Sequence, residues 1–331
     1  MRFGVVGLGA VGTVVGCFLS DSDEDVVLIG KKAQVKKIKK EGIEVYLKGN
    51  KKKIENPRLS SNLESLEKVD VLFICVKSQD TENLAKDLKK NVGKKTIIVS
   101  LQNGIRNADI LKKHLKNEIL STVVLFNVLF LEPGKVKITI PGGFFLQKTK
   151  KSSSKIRAKL EQAGLETREV DNIAGYLWSK IIFNLQNSVT ALTGQTLRES
   201  FINKDSKKII IETLKEGLDV VDKAGIEIKK LPVFDPKKLV FKLRILNSFL
   251  LKIGISLIGL EKNAKNSMQQ SLLRNKKTEI DYINGEIVRL AEKNNLDATL
   301  NHKIVKLIKK AEKRKSYKKI NPKKLRDLLD L

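Results

Sequence analysis

The chain predicts an α/β protein in which a doubly wound parallel sheet at the N-terminus is followed by an all-α domain. Three observations carry this expectation. A glycine-rich turn follows a short apolar strand at the front, Val/Ile-rich runs alternate with helical segments as far as about residue 126, and beyond about residue 170 only helices can be picked out. At 331 residues there is room for two domains with separate cores, and the boundary is expected near Asp171, giving units 1–171 and 172–331.

The first strand, RFGVV (2–6), runs into GLGAVG (7–12) and then into TVVGCFLS, a helical continuation. This is the Rossmann-like G-x-G-x-x-G arrangement: Gly7 for the tight turn, Gly9 for close approach of a pyrophosphate, Gly12 for helix–strand contact. With Leu8, Ala10 and Val11 these residues form the expected cofactor loop, and the helix N-terminus behind them offers free amides to phosphate. A second strand, VVLIG (26–30), comes at the right distance. An NAD site places an acid at its end to bind the ribose 2′-hydroxyl, whereas this chain has Gly30, Lys31 and Lys32. The missing carboxylate favours NADP(H), with Lys31 as the 2′-phosphate cation.

Further strands are expected in VDVLFICVK (69–77), KTIIVSLQNG (95–104) and ILSTVVLF (119–126), with helices in TENLAKDLKKN and NADILKKHLK between them. Open α/β sheets bind ligands beyond strand C-termini, so Lys77, Gln102 and Asn103 are expected to face the cofactor crevice. IRAKLEQAGLETREV completes the first domain with a helix and a last strand.

Composition narrows the function. Hydrophobic residues make up 41% of the chain, as in a folded globular protein. The apolar stretch 239–260 is interrupted by Lys242, Arg244 and Lys252, so it reads as buried helices and no membrane span is expected. No cationic leader followed by an apolar run opens the sequence, so a cytoplasmic location is expected. Cys17 and Cys75 read as buried free thiols, and with only His114 and His302 to join them no metal site is expected. The net charge of +28 is spread over nearly every helix and loop without interleaved aromatic residues, which argues for a solvated surface and against nucleic-acid binding.

In the second domain, LWSKIIFNLQNSVTALTG (177–194) reads as one amphipathic helix. Lys180, Asn184, Asn187, Ser188 and Ala191 fall on one side; Trp178, Ile181, Ile182, Leu185, Val189 and Leu192 fall on the other. Uncharged amides are poor fillers of a wet helix face in a chain that uses lysine elsewhere, so the stripe is expected to face a small polar ligand. In NSMQQSLLRNKKTEIDYINGEIVRLAEKNN (266–295), Glu279 is expected on a helix at the edge of an apolar face formed by Ile280, Ile283, Ile287 and Leu290. A carboxylate there needs a partner, and Lys180 is the candidate.

GLGAVG, the VK at 76–77, LQNG at 101–104, WSKIIFNLQNSVTALTG at 178–194 and NSMQQSLLRNKKTEIDYINGEI at 266–287 together resemble the ketopantoate reductase (2-dehydropantoate 2-reductase) family over essentially the whole chain. The resemblance implies a Rossmann domain and a helical domain, NADPH as cofactor, and reduction of ketopantoate to pantoate on the route to coenzyme A. It implies Lys180 as catalytic lysine, Asn184 as a substrate-binding asparagine, Ser267 as the substrate-contacting serine and Glu279 as the catalytic glutamate, also on the cofactor side. Lys77 and Asn103 then serve the nicotinamide side, Asn103 touching substrate as well, and Lys31 serves the 2′-phosphate. Many members carry a second asparagine eight residues after the lysine; here Ser188 stands there with Asn187 before it, and either could supply the hydrogen bond. The alternatives are a reductase of another 2-oxo acid, a 3-hydroxy acid dehydrogenase, and a non-catalytic NADPH-sensing or nucleic-acid-associated protein. A panel of oxo and hydroxy acids with NADPH and NADH separates them. A homodimer is compatible with the sequence.

Overall fold

The computed structural model describes residues 1–232, 234–247, 250–251, 265–314 and 316–331, and the chain divides into two units, Met1–Ile173 and Ala174–Leu331. In the first, β1 (Arg2–Val6), β2 (Asp25–Ile29), β5 (Leu59–Ser60), β6 (Val71–Ile74), β7 (Ile97–Ser100), β8 (Ile119–Val124), β11 (Phe144–Gln147) and β12 (Thr167–Val170) form one sheet in the order β12-β11-β8-β7-β6-β1-β2-β5. All neighbours are parallel except β11 against β8.

Successive strand residues point to opposite faces, and both faces are covered by helices. Phe3, Val5, Val71 and Phe73 join one core with α1 (Ala10–Ser20) and α5 (Ser153–Gln162), through Val14, Val15, Leu19, Ile156 and Leu160. Val6, Leu72, Ile74 and Ile98 join the other with α3 (Thr81–Leu88) and α4 (Asn107–His114), through Ala85, Leu88, Ala108 and Leu111. Each such fully buried side chain contributes roughly 1.5–3 kcal/mol. An exposed lysine ion pair such as Lys86 with Glu82 adds about 0–1 kcal/mol. The two cores, not the lysine-rich surface, therefore hold this unit together.

A second sheet was not anticipated: β3 (Ile43–Leu47), β4 (Asn50–Ile54), β9 (Asn127–Glu132) and β10 (Lys135–Ile140), in the order β4-β3-β10-β9. It lays Ile43, Val45, Val136 and Ile138 into the first core alongside α1. Helix α2 (Lys32–Glu41) leads into it and buries only Ile38. Cys17 is fully buried, and burial pushes its thiol up to about 12. Cys75 is partly buried, with its thiol raised by the same cause.

The described part of the second unit is helical: α6 (Ile173–Asn184), which begins at the boundary, then α7 (Gln186–Thr193), α8 (Leu197–Ile202), α9 (Lys204–Lys223), α10 (Pro236–Ile245), α11 (Ser267–Leu273), α12 (Asn284–Lys293), α13 (Thr299–Glu312) and α14 (Pro322–Leu328). The long α9 is the hub, packed against α7, α8, α10, α12, α13 and α14. Gly217 lets the α6–α7 junction approach it, since a Cβ there would lie 2.5 Å from Leu185 Cδ1 and 3.1 Å from Ile182 Cδ1. The expectation of buried helices over 239–260 is corrected in its first part, because Phe241 and Ile245 of α10 are 62% and 60% exposed. Most of the remainder lies outside the described residues. No described helix is long and apolar enough to cross a membrane.

Candidate functional site

The turn after β1 has the geometry its glycines require. Gly7 has φ +100°, and a Cβ on it would press on the Cys75–Val76 backbone at 2.7–2.8 Å. Gly12 abuts the same turn: a Cβ there would lie 2.1 Å from the Gly7 carbonyl oxygen. Above Gly9, by contrast, a Cβ would meet nothing within 4 Å, so this backbone can be approached closely. Gly9 caps α1, whose first amides point out of the turn. Ala10 and Val11 are half-buried in that first turn, whereas the Leu8 side chain is only 1% exposed, which leaves its backbone alone to meet a ligand.

Leu8 also explains Gly30. A Cβ at position 30 would sit 2.8 Å from Leu8 Cδ1, so packing disfavours any side chain there, acidic or not. The absent acid is thus partly a packing result, and the next residue, Lys31, is exposed. Gln34, which the sequence reading passed over, holds this corner: its Nε2 donates to Leu8 O at 2.9 Å and its Oε1 accepts from Lys31 N at 3.2 Å.

The loops after β6 and β7 are tied to each other. The Ser78 hydroxyl and the Asn107 amide both donate to Asn103 O, each at 2.6 Å, so half-buried Lys77 and Asn103 flank one hydrogen-bonded knot. Gln102 does not face a crevice as expected. It is 5% exposed, and its amide donates to Val76 O at 3.0 Å and Thr81 Oγ1 at 2.7 Å, because an amide buried between two strand ends must satisfy its hydrogen bonds internally. Its role is to fasten the loops.

In the helical unit the stretch 177–194 is not one helix. It breaks at Leu185, whose N–H donates to both Ile181 O at 3.1 Å and Ile182 O at 3.2 Å, and α7 restarts at Gln186. The expected polar stripe splits accordingly. Lys180 and Asn184 are half-buried on α6, while Asn187, Ser188 and Ala191 are buried on α7. Gln186 Nε2 donates to Asn187 Oδ1 at 2.6 Å, and Asn187 Nδ2 donates to Asn184 Oδ1 at 3.2 Å, a relay that ends on the Asn184 carboxamide. Ser188 is fully buried, and its hydroxyl returns to Leu185 O at 2.7 Å, so it stabilises the break and not the relay.

Ser267 is exposed at the start of α11, next to the capping residue Asn266. Asn266 Oδ1 accepts from Gln269 N at 2.8 Å, and its Nδ2 donates to Asn187 O at 3.2 Å and to Thr190 Oγ1. It therefore joins α11 to α7 and brings Ser267 near the Asn184–Asn187 pair.

Glu279 is not on a helix face as expected; it precedes a 3-10 turn at Ile280–Tyr282, and α12 starts only at Asn284. Its neighbour Thr278 is clamped by Glu312, the last residue of α13, whose Oε1 accepts from Thr278 N at 2.7 Å and Thr278 Oγ1 at 2.6 Å. Burial lowers the Lys180 pKa to about 8, and the Glu279 charge opposes that fall. An ammonium so displaced is a competent proton donor near neutral pH. Among the described residues, no group of three or more His, Cys, Asp or Glu is placed to hold a metal ion.

Two family models cover most of the chain: ketopantoate reductase PanE/ApbA over residues 3–151, and ketopantoate reductase PanE/ApbA C terminal over residues 172–312. The chain belongs to the ketopantoate reductase family. Among its relatives, 2-dehydropantoate 2-reductase of Pyrococcus horikoshii is 28% identical over 317 residues, covering 94% of this chain and 98% of that protein. The Archaeoglobus fulgidus protein of the same name is 26% identical, with the same coverage of both chains. The solved PanE/ApbA family ketopantoate reductase from Ralstonia eutropha superposes with a TM-score of 0.82 at 25% identity, over 94% of this chain and 98% of that one. D-mandelate dehydrogenase, solved with NADH and anilino(oxo)acetate, shares the fold with a TM-score of 0.78 at 24% identity, again over 94% and 98%.

Proposed function

We propose that the protein is a cytoplasmic, NADPH-dependent 2-dehydropantoate 2-reductase, converting ketopantoate to (R)-pantoate on the route to pantothenate and coenzyme A. The observation that carries the reading is Lys180, an ammonium displaced to about pH 8 by burial and electrostatically coupled to Glu279, one helical turn from the Asn184 amide. Family membership supplies the reaction class, and the relatives named 2-dehydropantoate 2-reductase support the substrate.

The residues fit a dinucleotide: the open backbone at Gly9, the α1 amides and Lys31 would hold its phosphates, with Lys77 and Asn103 on the nicotinamide side. When bound, the reduced nicotinamide supplies the hydride. Lys180 hydrogen-bonds the ketone oxygen, stabilises negative charge as it develops there, and delivers the proton. Glu279 keeps Lys180 ionised. Asn184, oriented by Asn187, fixes the substrate's hydroxyl, and Ser267 takes the carboxylate.

The deciding experiment is NADPH consumption with ketopantoate beside smaller and larger 2-oxo acids, repeated with NADH and with Lys31→Ala. Turnover of ketopantoate with a KM for NADPH raised about tenfold by the substitution, but little change for NADH, supports the reading. Faster turnover of another 2-oxo acid would reassign the substrate, and equal use of NADH would remove the role of Lys31. The panel matters because Ser188, where many family members have asparagine, is engaged with its own helix.

A further inference from the structure

The amides that open α13 find their acceptor on another helix. Ala298, the residue before α13, has no side chain that could cap it. Glu216 of α9 takes that place: its Oε1 accepts from Leu300 N at 2.8 Å and its Oε2 from Asn301 N at 2.7 Å, and a carboxylate suits the positive end of a helix. The same Oε2 accepts from Asn301 Nδ2 at 2.7 Å, and the other end of that carboxamide, Asn301 Oδ1, accepts from Asn284 Nδ2 at 2.9 Å. Asn301 and Asn284 are both 0% exposed, so the link runs through the core away from water.

Capping needs only the two amides. The step on to Asn284 matters because Asn284 closes the segment that carries Glu279. Tyr282 N donates to Glu279 O at 2.9 Å and Ile283 N donates to Ile280 O at 3.2 Å, so Asn284 stands one hydrogen-bonded turn from Glu279. Thr278, on the other side of Glu279, is held by Glu312 at the far end of α13. One helix thus grips this segment at both ends, and Glu216 sets that helix on α9. The next residue of α9, Gly217, seats Leu185 and Ile182, the latter two residues on from Lys180. We propose that Glu216, acting through Asn301 and Asn284, is a positioning residue for the reaction: with Gly217 it makes one step of α9 the common reference from which Lys180 and Glu279 are both placed. This rests on the functional reading above. A misplacement of about 1 Å, even when caused far from the reacting atoms, is enough to cost up to about 10² in rate.

The test follows NADPH consumption with ketopantoate in the full-length protein carrying Glu216→Ala, Glu216→Gln, Asn301→Ala or Asn284→Ala. Glu216→Ala and Asn301→Ala are each expected to lower kcat about tenfold and to move the alkaline limb of kcat to lower pH, the direction expected of Glu279→Gln. Glu216→Gln keeps one acceptor oxygen and should recover most of the loss. In a Glu279→Gln background, Asn301→Ala should change kcat less than about twofold and leave the limb in place, because both substitutions then act through one charge. A loss undiminished in that background overturns the proposal, as does a lower kcat with an unmoved limb, and either result reduces Glu216 to a helix cap. If Glu216→Ala does not fold, Asn284→Ala, which leaves the cap whole, carries the same expectations. If the wild-type protein reduces no 2-oxo acid, the functional reading fails by itself, and hydrogen exchange then decides the positioning claim. Faster exchange of the Tyr282 and Ile283 amides in Asn301→Ala, with α10 unchanged, sustains it, and wild-type protection of those amides rejects it.

Discussion

The Glu279 carboxylate and the Lys180 ammonium oppose burial together: desolvation pulls the lysine down to about 8, and the carboxylate's charge limits the fall. Lys180→Ala is therefore expected to lower kcat by at least about 10², the low end for a positioned acid. In the wild type kcat should decline as pH rises through about 8, because the ammonium is the donor. Glu279→Gln removes the opposing charge and should move that decline to lower pH. Rate profiles between pH 6 and 10 read both effects, and an alkaline limb that stays in place in Glu279→Gln would separate the two residues.

The same displacement has a stability consequence. Between about 8 and the ordinary lysine value the unfolded chain holds a proton that the folded chain has released, so this group's contribution to stability rises with pH across that window. Lys180→Met should flatten the rise. Urea unfolding at either end of the window measures it, and an undiminished rise in Lys180→Met would assign it to other groups.

Asn187 and Ser188, adjacent in sequence, should behave differently. Asn187→Ala removes the donor that orients Asn184 and is expected to raise KM for ketopantoate about fivefold, in line with about 1 kcal/mol for one hydrogen bond. Ser188→Ala loses only a bond to its own helix and should leave KM unchanged. The reverse order would return the role to Ser188.

Gly12→Ala sets a methyl 2.1 Å from backbone that cannot rotate away, so the β1–α1 turn must open. A cost of about 1–3 kcal/mol in stability is expected, together with loss of the thermal shift that NADPH gives the wild type. A shift of wild-type size in this variant would mean that the turn does not carry the nucleotide.

Glu312→Ala leaves the amide and hydroxyl of Thr278, a residue 4% exposed, without their acceptor and should destabilise the protein by about 1–3 kcal/mol. Because Glu279 follows directly, kcat should fall as well. Thr278→Val removes only the hydroxyl half and should lie between this variant and the wild type. Intact turnover in Glu312→Ala would show that Glu279 holds its place unaided.

Where local spacing decides the structure, the sequence was a good guide: β1, the glycine turn and α1 follow from contiguous residues, as do the apolar strands β6, β7 and β8. The second sheet escaped because its edge strand, NKKKI, carries three lysines and its pairing joins distant segments. The turns at Lys48–Gly49 and Pro133–Gly134 were the available signals, with positive φ at Lys48, Gly49 and Gly134. The break at Leu185 has no proline or glycine beside it, so a 3.6-residue periodicity runs straight through. Polar residues such as Gln102, Gln34 and Glu312 read as loop or surface in one dimension. Their partners are assigned only once the strands and helices meet.

The pairing of β10 with β3 brings Lys135 opposite Glu44 although strands β4 to β9 and helices α3 and α4 lie between them in the chain. On the ribosome, α1 and β3 emerge long before the β9–β10 hairpin that packs beside them. Until that hairpin arrives, the core that α1 shares with Ile43 and Val45 lacks Val136 and Ile138, and such distant pairings form late. Nascent chains halted just short of residue 140 should accordingly be more readily bound by chaperones than chains released a few residues later.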